Sequence, residues 1–187
     1  MRARQAVFGL CGIGISVAVV AQAPPSTSIP GVTRSFYEVT GSNAGQVRAA
    51  IDKLRPTDPN DGIRVDALTS FRYAWRWPGN GHGGCDLSRA EVTFTATILL
   101  PRLAEDVKLS STDRKRWAAY IAALETHEAT HLINAYSIHT ELADAIKSAT
   151  CETATAAGTK VLAKANAIDL AFDKRTRHGR TDGVPFP

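Results

Sequence analysis

The chain has 187 residues, a formal charge of +4, 44% hydrophobic residues and 21% charged residues. This composition is typical of globular proteins, and the length favours a single domain. The positive excess is too small to predict binding to nucleic acid or to a membrane surface, so neither is expected as a partner.

The first 23 residues have the pattern of a secretory signal peptide. Arg2 and Arg4 precede an apolar run over residues 6–20, and the small residues Ala21 and Ala23 form a small-x-small cleavage pattern. An uncleaved membrane anchor is the alternative, although the run is short for one. No later segment is apolar enough to span a bilayer, so no stable membrane span is expected after cleavage.

The residues after this segment divide into a lead-in and one domain. Residues 24–32 are rich in Pro and Ser and predict a flexible lead-in, and residues 33–187 are expected to form a single domain. Alternation predicts strands over 33–40, 67–77 and 90–100, with a short helix between the first two.

The second half of the chain is predicted to be helical. One helix should run over 113–149, because no Pro or Gly interrupts it, and a second over 153–174. The expected fold is therefore α+β: a small antiparallel sheet with a short helix, followed by a long α-helical hairpin that carries a zinc motif.

The motif is His-Glu-x-x-His, at residues 127–131 in the first of these helices. Residues four apart lie one turn apart on the same helix face, so His127 and His131 can bind one metal ion. Both, with Glu128, fall within or beside an apolar stripe, where polar groups are costly unless they have partners. The alternative is that all three are hydrogen-bonded core residues without a metal.

The spacing also predicts the chemistry. Glu128 is about 100° round the helix from His127, which places its carboxylate beside a bound Zn²⁺ rather than on it. Zinc lowers the pKa of bound water to about 7, and Glu128 can accept the water's proton and pass it to a leaving amine. The sequence thus predicts a metallopeptidase with a peptide or protein substrate and Glu128 as its catalytic residue.

A non-enzymatic interpretation stays open beside this one. In it the protein is an envelope protein with a structural zinc or a buried polar cluster, and it binds a partner through its sheet. The surface would be the aromatic face of the strand over 67–77, although such a face more often packs in a core.

Two histidines need a third protein ligand for a catalytic zinc site. The class with a third histidine six residues after the second is excluded, because Ser137 stands there. If the second helix returns antiparallel, the chain comes level with the motif near residues 173–178. His178 is the preferred metal ligand because it is an imidazole, and Asp173 is either an alternative ligand or a group that orients a histidine. Asp169 lies on the same helix, one turn before the residues that come level with the motif.

Removal of the signal peptide leaves two cysteines, Cys85 and Cys151. Two cysteines in an exported protein suggest one disulfide, and two free thiols are the alternative.

Several short motifs resemble a bacterial domain-of-unknown-function family, number 922, described as predicted secreted zinc-dependent proteases. They are Ser35-Phe36-Tyr37-Glu38-Val39-Thr40-Gly41, Trp75-x-Trp77, Cys85, Leu100-Pro101, Trp117 before the zinc motif, Cys151, and Phe172-Asp173-x-x-Thr176-x-His178-Gly179. The resemblance implies a periplasmic or secreted protein, a disulfide between Cys85 and Cys151, and a zinc site that includes the tail histidine. The chain departs from the family where Thr130 replaces a usual Gly and where Asp182 replaces a frequent Gln.

Overall fold

The computed structural model describes residues 28–183 and Phe186, so the predicted signal peptide lies outside the described residues. The elements in chain order are strand β1 (Val32–Val39), helix α1 (Ala44–Leu54), strands β2 (Leu68–Arg76) and β3 (Glu91–Leu103), and helices α2 (Ser111–Ser137), α3 (His139–Lys147) and α4 (Ala154–Thr176). None of the helices in the described part is long and apolar enough to cross a membrane.

The three strands form a mixed sheet with the order β1-β3-β2. β2 is antiparallel to β3, with Tyr73 opposite Phe94, whereas β1 is parallel to β3, with Phe36 opposite Leu100. The α+β prediction is confirmed, but the prediction of an antiparallel sheet is wrong for β1. Parallel strands need a crossover, and α1 together with β2 provides the chain length for it.

The main core lies between one face of this sheet and the helices. β3 places alternate residues into it, including Phe94 and Ile98, and these meet Leu132 of α2 and Leu142 of α3. The aromatic face of β2 contributes to the same core, because Tyr73 is buried and its neighbours pack against the cluster. Alternation with period two therefore identified a packed face of the sheet.

The helix predicted over 113–149 is interrupted, which corrects the prediction of one continuous helix. α2 ends at Ser137, and α3 begins at His139 after the buried residue Ile138. The Ser137 hydroxyl donates to the backbone oxygen of Asn134 at 2.7 Å. Such a bond to the preceding turn bends helices, and here it stands at the end of α2, where the chain contains neither Pro nor Gly.

The predicted disulfide between Cys85 and Cys151 is confirmed. Cys85 lies in the loop between β2 and β3, and Cys151 lies in the turn between α3 and α4. The bond therefore ties the sheet to the point where the helical part reverses direction.

A smaller core cluster adjoins the main core at Leu124, which packs against both. Val47 and Ile51 of α1 pack there with Tyr120 of α2 and with Phe186 from the tail. The tail thus returns to α2 after α4 ends, and residues 177–183 pass beside the His-Glu-x-x-His motif.

Candidate metal centre

His127 and His131 project side by side from α2 into the interior. Both are buried, and their Nε2 atoms are 3.1 Å apart. Phe172 of α4 packs against both imidazoles, with ring centroids 4.8 Å from each. The four-residue spacing on a helix and this aromatic contact together direct the two Nε2 atoms to one point.

Asp173, on α4, completes a triangle of donor atoms. Its Oδ1 lies 3.1 Å from Nε2 of His131 and 3.5 Å from Nε2 of His127. Donor atoms around a tetrahedral zinc, at bonds of about 2.0–2.1 Å, are separated by about 3.3 Å. The three side chains form a group that could hold one metal ion, and their separations fit zinc.

Each imidazole is held by a carboxylate at its other nitrogen. Nδ1 of His131 is 2.6 Å from Oδ1 of Asp169, and Nδ1 of His127 is 2.9 Å from Oδ2 of Asp182. Such partners fix the ring orientation and leave Nε2 for a metal. Asp182 is one of the two positions at which the chain departs from the family that it resembles, and here it supports a histidine.

The charges of the group are strongly coupled. Burial opposes the charged form of His131, but its hydrogen bonds with Asp169 and Asp173 outweigh this and raise its pKa to about 10. Burial also opposes the charged form of Asp173, yet hydrogen bonds with the two histidines lower its pKa. A proton and a metal ion would therefore compete for the same donor atoms of this group.

Glu128 lies beside the group and is held by the sheet. Its carboxylate is buried, and Oε2 accepts a hydrogen bond from the Thr69 hydroxyl of β2 at 2.7 Å. Burial raises the pKa of Glu128, although the positive charge on His131 and the bond from Thr69 oppose the shift. A carboxyl group with a raised pKa is suited to accept and return a proton.

His178 is placed differently from the other predicted ligands. Its Nδ1 is 3.5 Å from Oδ1 of Asp173, and its Nε2 is 3.0 Å from Oδ2 of Asp61. It forms a second group of donors with Asp58 and Asp173, not with the two motif histidines. Asp173 thus belongs to both groups, and a role of His178 as a metal ligand stays a prediction.

Two other polar side chains, His139 and Tyr73, pack at the main core and not at the candidate centre. His139 packs against Tyr136 with ring centroids 4.9 Å apart, and the Tyr73 hydroxyl donates to the backbone oxygen of Ala135. His82 lies in an exposed loop and is outside both donor groups found in residues 28–183.

Sequence reasoning assigned no supporting role to three residues: Thr69, Asp169, which it placed one turn short of the motif, and Asp182, which it noted only as a departure from the family. Asp169 and Asp173 are four residues apart on α4, the same spacing as the two histidines on α2. Two pairs with this spacing, one on each helix, could have indicated that α4 supplies a candidate metal ligand and a carboxylate that orients a histidine. Thr69 and Asp182 reach the site from β2 and from the tail, so no local spacing indicated them.

Gly179 allows the tail to pass close to the centre. It has φ +75°, and a Cβ added to it would lie 3.1 Å from Cδ2 and Cγ of His127. The position requires both a left-handed backbone and the absence of a side chain, because the tail packs directly on the imidazole.

Comparison with known proteins identifies a family but no closer relative. No curated protein and no solved structure matches the chain significantly. The family model described as a bacterial protein of unknown function, DUF922, matches residues 34–179, which are most of the chain. The match includes the three donor residues and Asp169, but not Asp182. The chain therefore belongs to the DUF922 family.

Proposed function

We propose that the protein is an exported zinc-dependent hydrolase that cleaves amide bonds in peptides or proteins. The observation that supports this best is the triangle of Nε2 of His127, Nε2 of His131 and Oδ1 of Asp173. The buried carboxylate of Glu128 beside the triangle supports catalysis in particular, since a structural metal needs no such group.

In this proposal α2 and α4 hold the metal between them. His127, His131 and Asp173 would be the ligands, oriented by Asp182 and Asp169. When bound, zinc supplies Lewis-acid polarisation of a carbonyl and lowers the pKa of water. In this proposal the carboxylate of Asp173 would be the third ligand, a position for which the preference for an imidazole had favoured His178.

The protein's own groups then carry the proton. Glu128 would accept a proton from the attacking water at its carboxylate and deliver it to the nitrogen of the leaving amine. Thr69 keeps this carboxylate in place through a bond to Oε2, so the acceptor does not depend on a mobile side chain. β2, which carries Thr69, is an edge strand of the sheet.

Export is proposed from the N-terminal pattern and from the disulfide. Disulfides persist in oxidising compartments such as the periplasm and the extracellular space. The Cys85–Cys151 bond is consistent with either location.

The binding-protein alternative has less support. It requires the aromatic face of β2 to be available to a partner, whereas Phe71, Trp75 and Trp77 pack against the main core in the described structure. It also does not explain why the buried carboxylate of Glu128 lies beside the donor group.

The proposal predicts zinc-dependent peptide cleavage. The protein, purified after export from a bacterial host, should cleave members of a mixed peptide library followed by mass spectrometry. A chelator should abolish cleavage, and added zinc should restore it. A folded, zinc-loaded protein that cleaves no peptide would contradict the proposed activity.

Asp169→Asn should weaken zinc binding by about 10- to 100-fold, because loss of a group that orients a ligand has effects of this size. Asp169 bonds to His131 in a buried site, and an amide cannot hold the imidazole with the same charge. The measurement is a competition titration against a zinc chelator, with the exposed Asp144→Asn as the matched control. Equal affinities for the two variants would exclude an orienting role for Asp169.

A further inference from the structure

A large cleft lies next to the candidate metal centre. It has a volume of about 780 Å³ and reaches His127 and His178 at one end. Its walls come from α1, the loop after α1, α2 and the tail that follows α4. The cleft is thus open to any part of a substrate that extends from the proposed reaction site.

The charged side chains that line the cleft are mostly positive. Its lining includes two aspartates, Asp52 and Asp66, and five arginines, which are Arg48, Arg55, Arg64, Arg177 and Arg180. If the histidines are counted as neutral, the walls therefore carry three more positive than negative side chains.

Two of the arginines are already paired with the aspartates. Arg48 forms two hydrogen bonds with Asp66, at 2.6 and 2.9 Å, and one with Asp52 at 2.9 Å. Arg55 lies 3.3 Å from Asp66 and 3.5 Å from Asp52. These pairs join α1 to the following loop, so their charges are largely balanced within the protein.

The other three arginines have no carboxylate partner among residues 28–183 and Phe186. Arg64 donates to the backbone oxygens of Lys53 and Arg55, which leaves its charge uncompensated. Arg177 and Arg180 are exposed on the tail and form no ion pair within the described part of the chain. Unbalanced positive charge therefore concentrates at this side of the centre.

A smaller pocket adjoins the cleft at His127 and His178 and is lined by Asp58, Asp169 and Asp173. The carboxylates of this pocket offer no binding partner to an acidic side chain, whereas the guanidinium groups of the cleft do.

We infer that the cleft selects peptides that carry acidic side chains next to the bond to be cleaved. This inference rests on the proposed function, because a peptide is expected only if the adjoining centre cleaves amide bonds. Arginine guanidinium groups bind carboxylates through paired hydrogen bonds, and they keep their charge over the whole physiological pH range. Arg177 and Arg180 are the specificity-determining residues, since they line the cleft beside His178 without partners in the described structure.

Binding is measured first on the full exported protein carrying Glu128→Gln, so that no peptide is consumed. Three fluorescein-labelled peptides of equal length differ only in two residues, which are Glu, Gln or Lys. Fluorescence polarisation at low salt should show at least tenfold tighter binding of the glutamate peptide than of the glutamine peptide. The preference should decline at high salt, because exposed charge pairs are screened.

Charge-reversal variants then test which arginines cause the preference for the glutamate peptide. Arg177→Glu combined with Arg180→Glu should remove the preference for the glutamate peptide. Arg89→Glu combined with Arg114→Glu is the matched control and should retain it, because both arginines are exposed, lie outside the cleft and form no ion pair within the described residues. Equal binding of the three peptides, no binding, or an equal effect of the control would overturn the inference.

Cleavage by the unaltered protein separates this inference from the proposed function. Tight binding of the glutamate peptide without cleavage would sustain the acid-selective cleft and refute the hydrolase. Cleavage of the glutamate and glutamine peptides at equal rates, with equal binding, would sustain the hydrolase and refute the selective cleft.

Discussion

Glu128→Gln should lower the rate of peptide cleavage by about a thousandfold, within the range of general acid–base catalysis, while bound zinc is unchanged. The substituted amide keeps the shape of the side chain and can still accept the bond from the Thr69 hydroxyl. It cannot accept a proton from water at neutral pH. The measurement is kcat/KM on a cleaved peptide, with zinc content determined on the same preparation.

The matched control is Glu125→Gln, on the same helix. Glu125 is partly exposed and lies 3.9 Å from Arg34, a pair that contributes little. Its loss should leave cleavage nearly unchanged. Cleavage that persists after Glu128→Gln would exclude Glu128 as the base. Loss of cleavage without loss of the protein's biological role would instead support the binding-protein interpretation.

Replacing both Cys85 and Cys151 by Ser should lower the free energy of unfolding by about 4 kcal/mol. The bond joins residues separated by 66 positions, so in the chain-entropy model its loss greatly increases the freedom of the unfolded chain. The measurement is urea unfolding of the metal-free proteins, because zinc would add its own stabilisation of the native state.

Reduction of the unaltered protein offers an internal control for this prediction. The reduced protein and the double variant should unfold at similar urea concentrations, since both lack the same link. A loss below about 1 kcal/mol in both would show that the bond does not restrict the unfolded chain as the model assumes.

Local pattern predicted the elements but not all of their arrangement. Alternation in 67–77 identified β2, and the cysteine count led to the disulfide. β1 is parallel to its neighbour because the chain crosses over before it forms β3. Which strand lies next to β1 after that crossover depends on tertiary packing, and local sequence does not indicate it. The break at Ile138 follows the Ser137 hydroxyl bond to the preceding turn, and helix propensity alone does not indicate it.

The two candidates for a third ligand, Asp173 and His178, show how far reasoning from helix lengths can predict the site. Counting residues along an antiparallel return led to the range 173–178, and both of its candidates do lie near the motif. Preference for an imidazole favoured His178, but α4 ends at Thr176 and Arg177 and His178 have positive φ. The chain leaves the helix axis there, so Asp173, the last candidate on the helix, faces the two Nε2 atoms.

The most direct test is the zinc content of the purified, folded protein, determined by elemental analysis beside Asp173→Ala and His178→Ala. Zinc coordination by His127, His131 and Asp173 predicts one zinc per chain in the unaltered protein and in His178→Ala, and little or none in Asp173→Ala. Zinc retained in Asp173→Ala but lost in His178→Ala would instead make His178 the third ligand. A folded protein that binds no zinc would contradict the metal centre and the hydrolase together.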